Sequence, residues 1–456
     1  MSPRAPGAVP ALPRLPRWYT LAWVCALPLV AAYLLWRSLR QPEYRRHWAE
    51  RFLGRGGAFG DGGPGRCVIW VHAVSLGETR AVQPLLQELA RARPQARFIL
   101  THMTPTGRAA GAQLAAGLPG RVLQRYLPYD LPWAVRRFLR ETRPQLGVLM
   151  ETEIWPTLLC EARAAALPML LANARLSERS LAKALRVPTL MGPAAACLSS
   201  VGAQTVADRA RLARVYRGPI RVTGNIKFDL VPDAQLLAAG RQLRDRLRAH
   251  YGERPVWLFA STREGEEALI VAALRLWHGA QGGTRAAAPL LLMVPRHPQR
   301  FDEVAHLLQE AGHTVLRRAR WEATLAAPGL PGAALPVLLG DSIGEMPLYY
   351  AMADIALIGG SLLPLGGQNL IEACACGCPV LVGPHMFNFA QAALDAREAG
   401  AARAVATAHE AFQAMASIST DAAVRAGMAQ AALAFCALHR GASARTLALV
   451  DQLLPA

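Results

Sequence analysis

The sequence predicts an α/β protein of two halves, each a doubly wound parallel sheet, behind an apolar N-terminal helix suited to a membrane. Three observations carry this. Short apolar runs of strand length alternate with helical stretches in two successive series. The alternation breaks once, near Gly218 to Asp233, where Pro219, Gly224 and Pro232 interrupt it. Ahead of both series, Trp18 to Trp36 forms an uncharged, Leu-, Ala- and Val-rich run. At 456 residues, 52% of them hydrophobic and 18% charged, the chain can fill two cores of ordinary domain size.

Residues 1–17 read as a Pro-rich tail and residues 18–36 as a membrane anchor. The run is just long enough to cross a bilayer, with Trp18, Tyr19, Tyr33 and Trp36 suited to the two interfaces. No small-residue cleavage site follows it, which argues against a removable signal peptide. Arg37, Arg40, Arg45, Arg46, Arg51 and Arg55 come next, so the positive-inside rule puts the body of the protein on the cytoplasmic side of an inner membrane. Pro28 leaves open a helix that dips into one leaflet without crossing. Residues 37–66 then form a basic juxtamembrane segment and a Gly-rich loop from Gly54 to Gly65.

The first half, residues 67–217, carries strands at Cys67–Val71, Arg97–Leu100, Leu146–Met150 and Met169–Ala172, each followed by a helical stretch. Residues 218–233 read as a linker. The second half, residues 234–456, carries strands at Val256–Ala260, Leu290–Val294, Val337–Gly340, Ile355–Ile358 and Val380–Val382. Ala-, Gly- and Pro-rich pieces at 280–289 and 322–335 read as surface loops. The Ala-rich stretch after Thr407 is helical in composition, and the sequence permits it to pack back across the first half. Two such halves leave a central cleft between them.

A formal charge of +18 and a pI near 10.4 imply an anionic partner: nucleic acid, anionic lipid or a phosphorylated substrate. Almost all of the positive charge is arginine, and the lysines are Lys183 and Lys227. No nucleic-acid motif and no basic stripe interleaved with aromatics is present, so nucleic acid is not expected as a partner. The eight cysteines lie mostly in apolar runs. Cys374-Ala-Cys-Gly-Cys378 lacks a second Cys or His pair nearby, so no metal is expected there.

In an open parallel sheet, ligands gather at the carboxyl ends of the strands. After the first strand come His72, Ser75 and Glu78. Glu78 falls at a helix start, where it either meets a substrate or complements the helix dipole. After the third comes Glu151-Thr-Glu153, two acids of which one faces the cleft and the other caps a helix. Lys227 projects from the linker. In the second half Ser261 and Thr262 close a strand, and Arg296 and His297 lie between Pro295 and Pro298, which hold the turn extended. Gly340-Asp-Ser-Ile-Gly344-Glu345-Met346 and Gly366-Gly-Gln-Asn369-Leu370-Ile371-Glu372 complete the set. The second runs from a glycine-rich turn into a helix start, a phosphate site, with Asn369 and Glu372 on one face for a ribose. An ordinary crossover loop is the plain alternative for that stretch alone.

Together these segments resemble the 3-deoxy-D-manno-octulosonic acid (Kdo) transferases of lipopolysaccharide synthesis. The resemblance runs from about Trp70 to Gln391. It rests on Trp70-Val-His-Ala-Val-Ser-Leu-Gly-Glu78, Thr104-Pro-Thr-Gly107, Tyr126-Leu-Pro-Tyr-Asp130 and Glu151-Thr-Glu-Ile-Trp-Pro156. Asn173-Ala-Arg-Leu-Ser-Glu-Arg-Ser180, Thr223-Gly-Asn-Ile-Lys-Phe-Asp229, Val294-Pro-Arg-His-Pro298 and Gly340–Met346 extend it in order. It implies the GT-B arrangement of two Rossmann-like domains, with acceptor and donor halves, and an inverting glycosyltransferase without a cofactor. The implied donor is CMP-Kdo and the implied acceptor a hydroxyl of the lipid A precursor, lipid IVA, at an anionic membrane surface.

The roles implied are Glu78 as general base and Glu151 and Lys227 as stabilisers of the transition state. Ser261, Arg296, His297, Gly344, Glu345, Met346, Asn369, Leu370, Ile371 and Glu372 are implied to bind CMP. His102-Met103, Arg263 and the long segment before Trp18 depart from the family's pattern, and the first two bear on acceptor contacts. Two other readings stay open: a GT-B transferase that uses a UDP-sugar, and a basic membrane-anchored nucleic-acid-binding protein.

Overall fold

The computed structural model describes residues 15–59, 67–280, 288–326 and 335–454. Most of the N-terminal tail, part of the Gly54–Gly65 loop and most of the loops read at 280–289 and 322–335 lie outside the described residues. Where the second loop is described, Trp321–Ala326 is a short helix instead, because Trp321 and Leu325 bury themselves one turn apart.

The chain divides into two compact units. The first runs to Asp229 and takes back the chain from Arg440 onward; the second spans Leu230–His439. In the first unit, strands β1 (Val68–His72), β2 (Arg97–His102), β3 (Val122–Tyr126), β4 (Leu146–Met150), β5 (Met169–Ala174), β6 (Ser200–Ala203) and β7 (Ile220–Val222) form one sheet. Its order is β3-β2-β1-β4-β5-β6-β7, and the pairings are parallel. Trp70, Phe138, Leu158 and Leu159 lie in a core on one face, and Val71, Leu85, Leu89 and Leu449 in a core on the other. Both faces are covered, as the near-continuous apolar strands require.

The second unit repeats this architecture with β8 (Val256–Thr262), β9 (Leu290–Pro295), β10 (Val315–Arg317), β11 (Val337–Leu339), β12 (Ile355–Ile358), β13 (Val380–Val382) and β14 (Ala402–Ala404). The order is β10-β11-β9-β8-β12-β13-β14, again parallel. Each sheet has one place where successive connections depart in opposite directions: between β1 and β4 in the first, between β8 and β12 in the second. Such a switch point opens a crevice at the carboxyl ends of its two strands.

Two segments differ from the sequence expectation. Residues 220–222, read as linker, form the edge strand β7. Helix Ala442–Leu453, assigned above to the second half, belongs to the first unit, where Leu449 and Val450 enter the same core as Leu85 and Leu89. Gly441 makes this possible, since its φ of 91° ends one helix and starts the next at a new angle.

The apolar N-terminal run is a helix, Arg17–Ser38, with Pro28 inside it. Its length and composition suffice to cross a membrane, with mean hydropathy 1.7.

Candidate active site

The switch point of the first sheet gathers the acids. Ser75 caps helix Leu76–Ala81 by accepting from the Glu78 amide. Glu78 reaches back, so that its Oε2 accepts from the Val74 amide at 2.9 Å and its Oε1 from the Ser75 hydroxyl at 3.2 Å. This is a capping box displaced by one residue. It both satisfies helix-end donors and fixes the carboxyl at the end of β1. The dipole-complementing role is thus met, with the carboxyl held at the end of β1. Burial, with the charge of Glu151 next in importance, pushes the Glu78 carboxyl up to about 7, against the opposing Val74 hydrogen bond. A carboxyl at that value exchanges protons readily near neutrality.

Glu151 stands one residue past β4 in the left-handed region, with φ 58°. That conformation costs a β-carbon residue roughly 1–2 kcal/mol, and it turns the side chain onto two cations. Lys227 Nζ lies 2.8 Å from Oε1 and Arg175 Nε 3.1 Å from Oε2. Burial alone would raise the Glu151 carboxyl, but Lys227 and Arg175 outweigh it and hold the group below its ordinary range. Glu153 is engaged differently. Its Oε2 accepts from the Trp155 indole at 2.7 Å, and burial raises its carboxyl. Of the two acids left open by the sequence, Glu151 is the one paired with Lys227.

Lys227 sits on a 3-10 turn, Ile226–Asp229, that follows β7. Asn173, also at positive φ (52°), accepts the Ile226 amide, and Asn225 accepts the Lys227 amide. Asp229 accepts from the amides of Gly441 and Ser443, capping helix Ala442–Leu453, and Arg445 Nε donates to the Thr223 carbonyl at 2.7 Å. The returning C-terminal helix thus clasps both ends of the segment that carries Lys227.

His72 and His102 are fully buried. His72 Nδ1 bonds Thr101 Oγ1 at 2.8 Å, and burial, then the nearby His102, lowers its pKa to about 3. Burial likewise lowers His102 to about 4, with Nδ1 on the Ala73 carbonyl. Both rings stay neutral, and His102 Nδ1 also lies 3.2 Å from Thr79 Oγ1 on the helix that carries Glu78. His102 was expected to bear on acceptor contacts; its burial removes it from any ligand surface.

In the second unit, Ser261 lies at the end of β8, again in the left-handed region (φ 58°), with Oγ 3.9 Å from Met346 Sδ. Glu266 accepts from the amides of Arg263, Gly360 and Leu362, tying the end of β8 to the turn after β12. Gly359 is required there, because a β-carbon would come within 2.3 Å of the Ser261 carbonyl. Arg296 Nε donates to Gln368 Oε1 at 3.1 Å, so the Pro295–Pro298 turn and the Gly366–Gly367 loop meet. Burial lowers the pKa of His297, and Arg263, Arg296 and Arg300 lower it further. Arg263, the departure from the family pattern, adds to a strongly positive rim.

Several predicted binding residues take a narrower form. Leu370 and Ile371 bury their side chains, so only their backbone can face a ligand. The helix they start, Leu370–Ala375, has six residues, and Asn369 already caps the Ile371 amide at 3.2 Å. Arg318 grips the Glu345 carboxylate at 3.0 and 3.1 Å, so the expected CMP contact at Gly344–Met346 narrows to backbone groups. Glu372 is half-buried in the first turn. Arg175, Gln368 and Glu266 were not singled out from sequence. Arg175 directly follows the observed β5 but lies three residues past the predicted strand end at Ala172, so the strand-end rule passed over it.

A family profile described as 3-deoxy-D-manno-octulosonic-acid transferase matches residues 46–230. The chain is also 46% identical to the 3-deoxy-D-manno-octulosonic acid transferase of Bordetella pertussis, over 96% of this chain and 99% of that one. The chain belongs to the Kdo transferase family. It is 35% identical to the Haemophilus influenzae Kdo transferase over 82% and 83% of the two lengths. A glycosyltransferase from Rickettsia africae superimposes with a TM-score of 0.56 at 12% identity, covering 86% of this Kdo transferase and 99% of that chain. That likeness concerns the fold, and with the two seven-stranded parallel sheets it upholds the GT-B class expected from the sequence.

Proposed function

We propose that this Kdo transferase moves Kdo from CMP-Kdo to a hydroxyl of the lipid A precursor lipid IVA, with inversion at the anomeric carbon. The observation that carries the reading is the pair of contrasting acids. Glu78 is raised to about 7 while Glu151, its neighbour, is held ionised by Lys227 and Arg175. Two carboxyls pushed apart in this way divide into a proton acceptor and a fixed charge.

Glu78 in its ionised form accepts the proton of the acceptor hydroxyl as that oxygen attacks the anomeric carbon. Lys227 and Arg175, balanced by Glu151, supply a preorganised field that stabilises the charge separation of the transition state. The bond to the CMP phosphate breaks on the opposite side. CMP departs readily once its charge is met, and Arg296, His297, Ser261 and the backbone of Gly344–Met346 and Asn369–Ile371 are the groups for that task, with Glu372 for the ribose. The apolar N-terminal helix and the basic residues after it favour action at the cytoplasmic face of the inner membrane, on an anionic lipid substrate.

Thermal shift with CMP and UDP tests the donor. Stabilisation by CMP at concentrations where UDP has no effect supports the reading; preference for UDP contradicts it.

A further inference from the structure

We propose that the N-terminal helix lies along a single leaflet, docked on the first unit as part of it, and does not cross the bilayer. This rests on the membrane reading above and specifies its geometry. The helix meets the first unit over most of its length. Trp23, Leu27, Val30 and Leu34 pack into a cluster with Tyr44, Tyr129, Leu131 and Ala134. The Trp23 and Tyr129 rings stand 5.8 Å apart. At the helix start the Tyr19 hydroxyl donates to Asp130 Oδ2 at 2.8 Å. The contacts from Tyr19 to Leu34 extend about 22 Å along the axis, against a hydrocarbon core about 30 Å thick. A perpendicular span would therefore draw the docked part of the unit into the lipid. Helix Pro132–Thr142, which supplies Ala134 to the dock, carries exposed Arg136 and Arg140. Those arginines at hydrocarbon depth are strongly disfavoured.

The opposite side of the helix is as apolar as the docked side. Trp18, Leu21, Leu29, Tyr33, Trp36 and Leu39 are exposed, Leu29 to 72% and Leu39 to 73%. A helix that is hydrophobic all round requires an apolar neighbour on every side, and among the described residues protein covers one side. The second neighbour is the acyl region of one leaflet. Arg40, Arg45 and Arg46, exposed just beyond the helix, match anionic headgroups in charge.

Docking also ties the helix to the acids. Asp130 accepts from the amides of Thr157 at 2.9 Å and Leu158 at 2.8 Å, at the start of helix Pro156–Ala164. That helix begins three residues after Glu153. The N-terminal helix and the helix that follows the turn bearing Glu151 and Glu153 are thereby joined through one carboxylate.

The test uses the full chain with an epitope tag ahead of Met1, in protease protection of inverted inner-membrane vesicles and of spheroplasts. A tag cleaved in inverted vesicles and protected in spheroplasts, on the same side as the catalytic body, is the expected result. Cleavage in spheroplasts means that the helix crosses, and overturns the proposal. Protein absent from the membrane fraction overturns the membrane reading itself, while Kdo transfer measured in detergent keeps the catalytic reading separate. Leu21→Glu with Leu29→Glu, on the exposed side, should release folded protein from the membranes; retention at the wild-type level would also contradict the leaflet contact.

Discussion

Lys227 Nζ lies 2.8 Å from Glu151 Oε1, although 76 positions separate the two residues in the chain. One follows the edge strand β7 and the other follows β4. Both side chains are largely withdrawn from water, so losing either partner leaves the other charge less compensated. Lys227→Met should therefore destabilise the first unit by about 3 kcal/mol, with Arg175 still holding part of the Glu151 charge. The double variant Lys227→Met with Glu151→Gln should lose less stability than the two single losses added together. Denaturant unfolding of the four proteins gives the coupling directly.

Glu78→Gln should lower the turnover number by about 10²–10⁴-fold and leave CMP affinity unchanged, because its proposed task lies at the acceptor. In the wild type, activity should rise with pH through a midpoint near 7, as Glu78 ionises. The stability effect has a definite sign. The folded carboxyl is raised above its ordinary value of 4.5, so the native state holds the proton more tightly than the unfolded chain. Its contribution is complete below pH 4.5 and is lost as pH rises toward 7. The melting temperature of the wild type should fall relative to Glu78→Gln across that window.

Arg296→Ala should weaken CMP binding. A charge-assisted hydrogen bond contributes about 1.5–3 kcal/mol, which corresponds to roughly a 10- to 100-fold loss of affinity. Calorimetric titration with CMP checks it, and the same titration on Glu78→Gln serves as the control that should not move.

Asp229→Ala should uncap helix Ala442–Leu453, at a cost of about 1–2 kcal/mol. Because Asp229 ends the turn that carries Lys227, hydrogen exchange should quicken both at 226–229 and at 441–446. Faster exchange in the C-terminal segment alone would show that the clasp does not reach Lys227.

Much of this was legible in the chain. The central strands β1, β4, β5, β8, β9, β12 and β13 carry near-continuous apolar runs because both of their faces are covered, and they were found from that signal. The edge strands β3, β7, β10 and β14 were missed, as was the short interior strand β6 (Ser200–Ala203). Val122-Leu-Gln-Arg-Tyr126 and Ala402-Arg-Ala404 carry polar side chains that an edge tolerates, which erases the pattern. Strand-end polarity located Glu78, Glu151, Ser261 and Arg296. It could not choose Glu151 over Glu153, since that choice depends on a left-handed turn at Glu151 and on a lysine 76 residues away. The return of the C-terminal helix to the first unit turns on Gly441, one glycine among 38.

The central claim is tested most directly by mass spectrometry of the acceptor. Purified protein is incubated with tetraacylated lipid A precursor, CTP, Kdo and a CMP-Kdo synthetase that makes the unstable donor in place. The account predicts a lipid heavier by one or more Kdo units, and no such product with Glu78→Gln. An unchanged acceptor, with folded protein and confirmed donor formation, would contradict it.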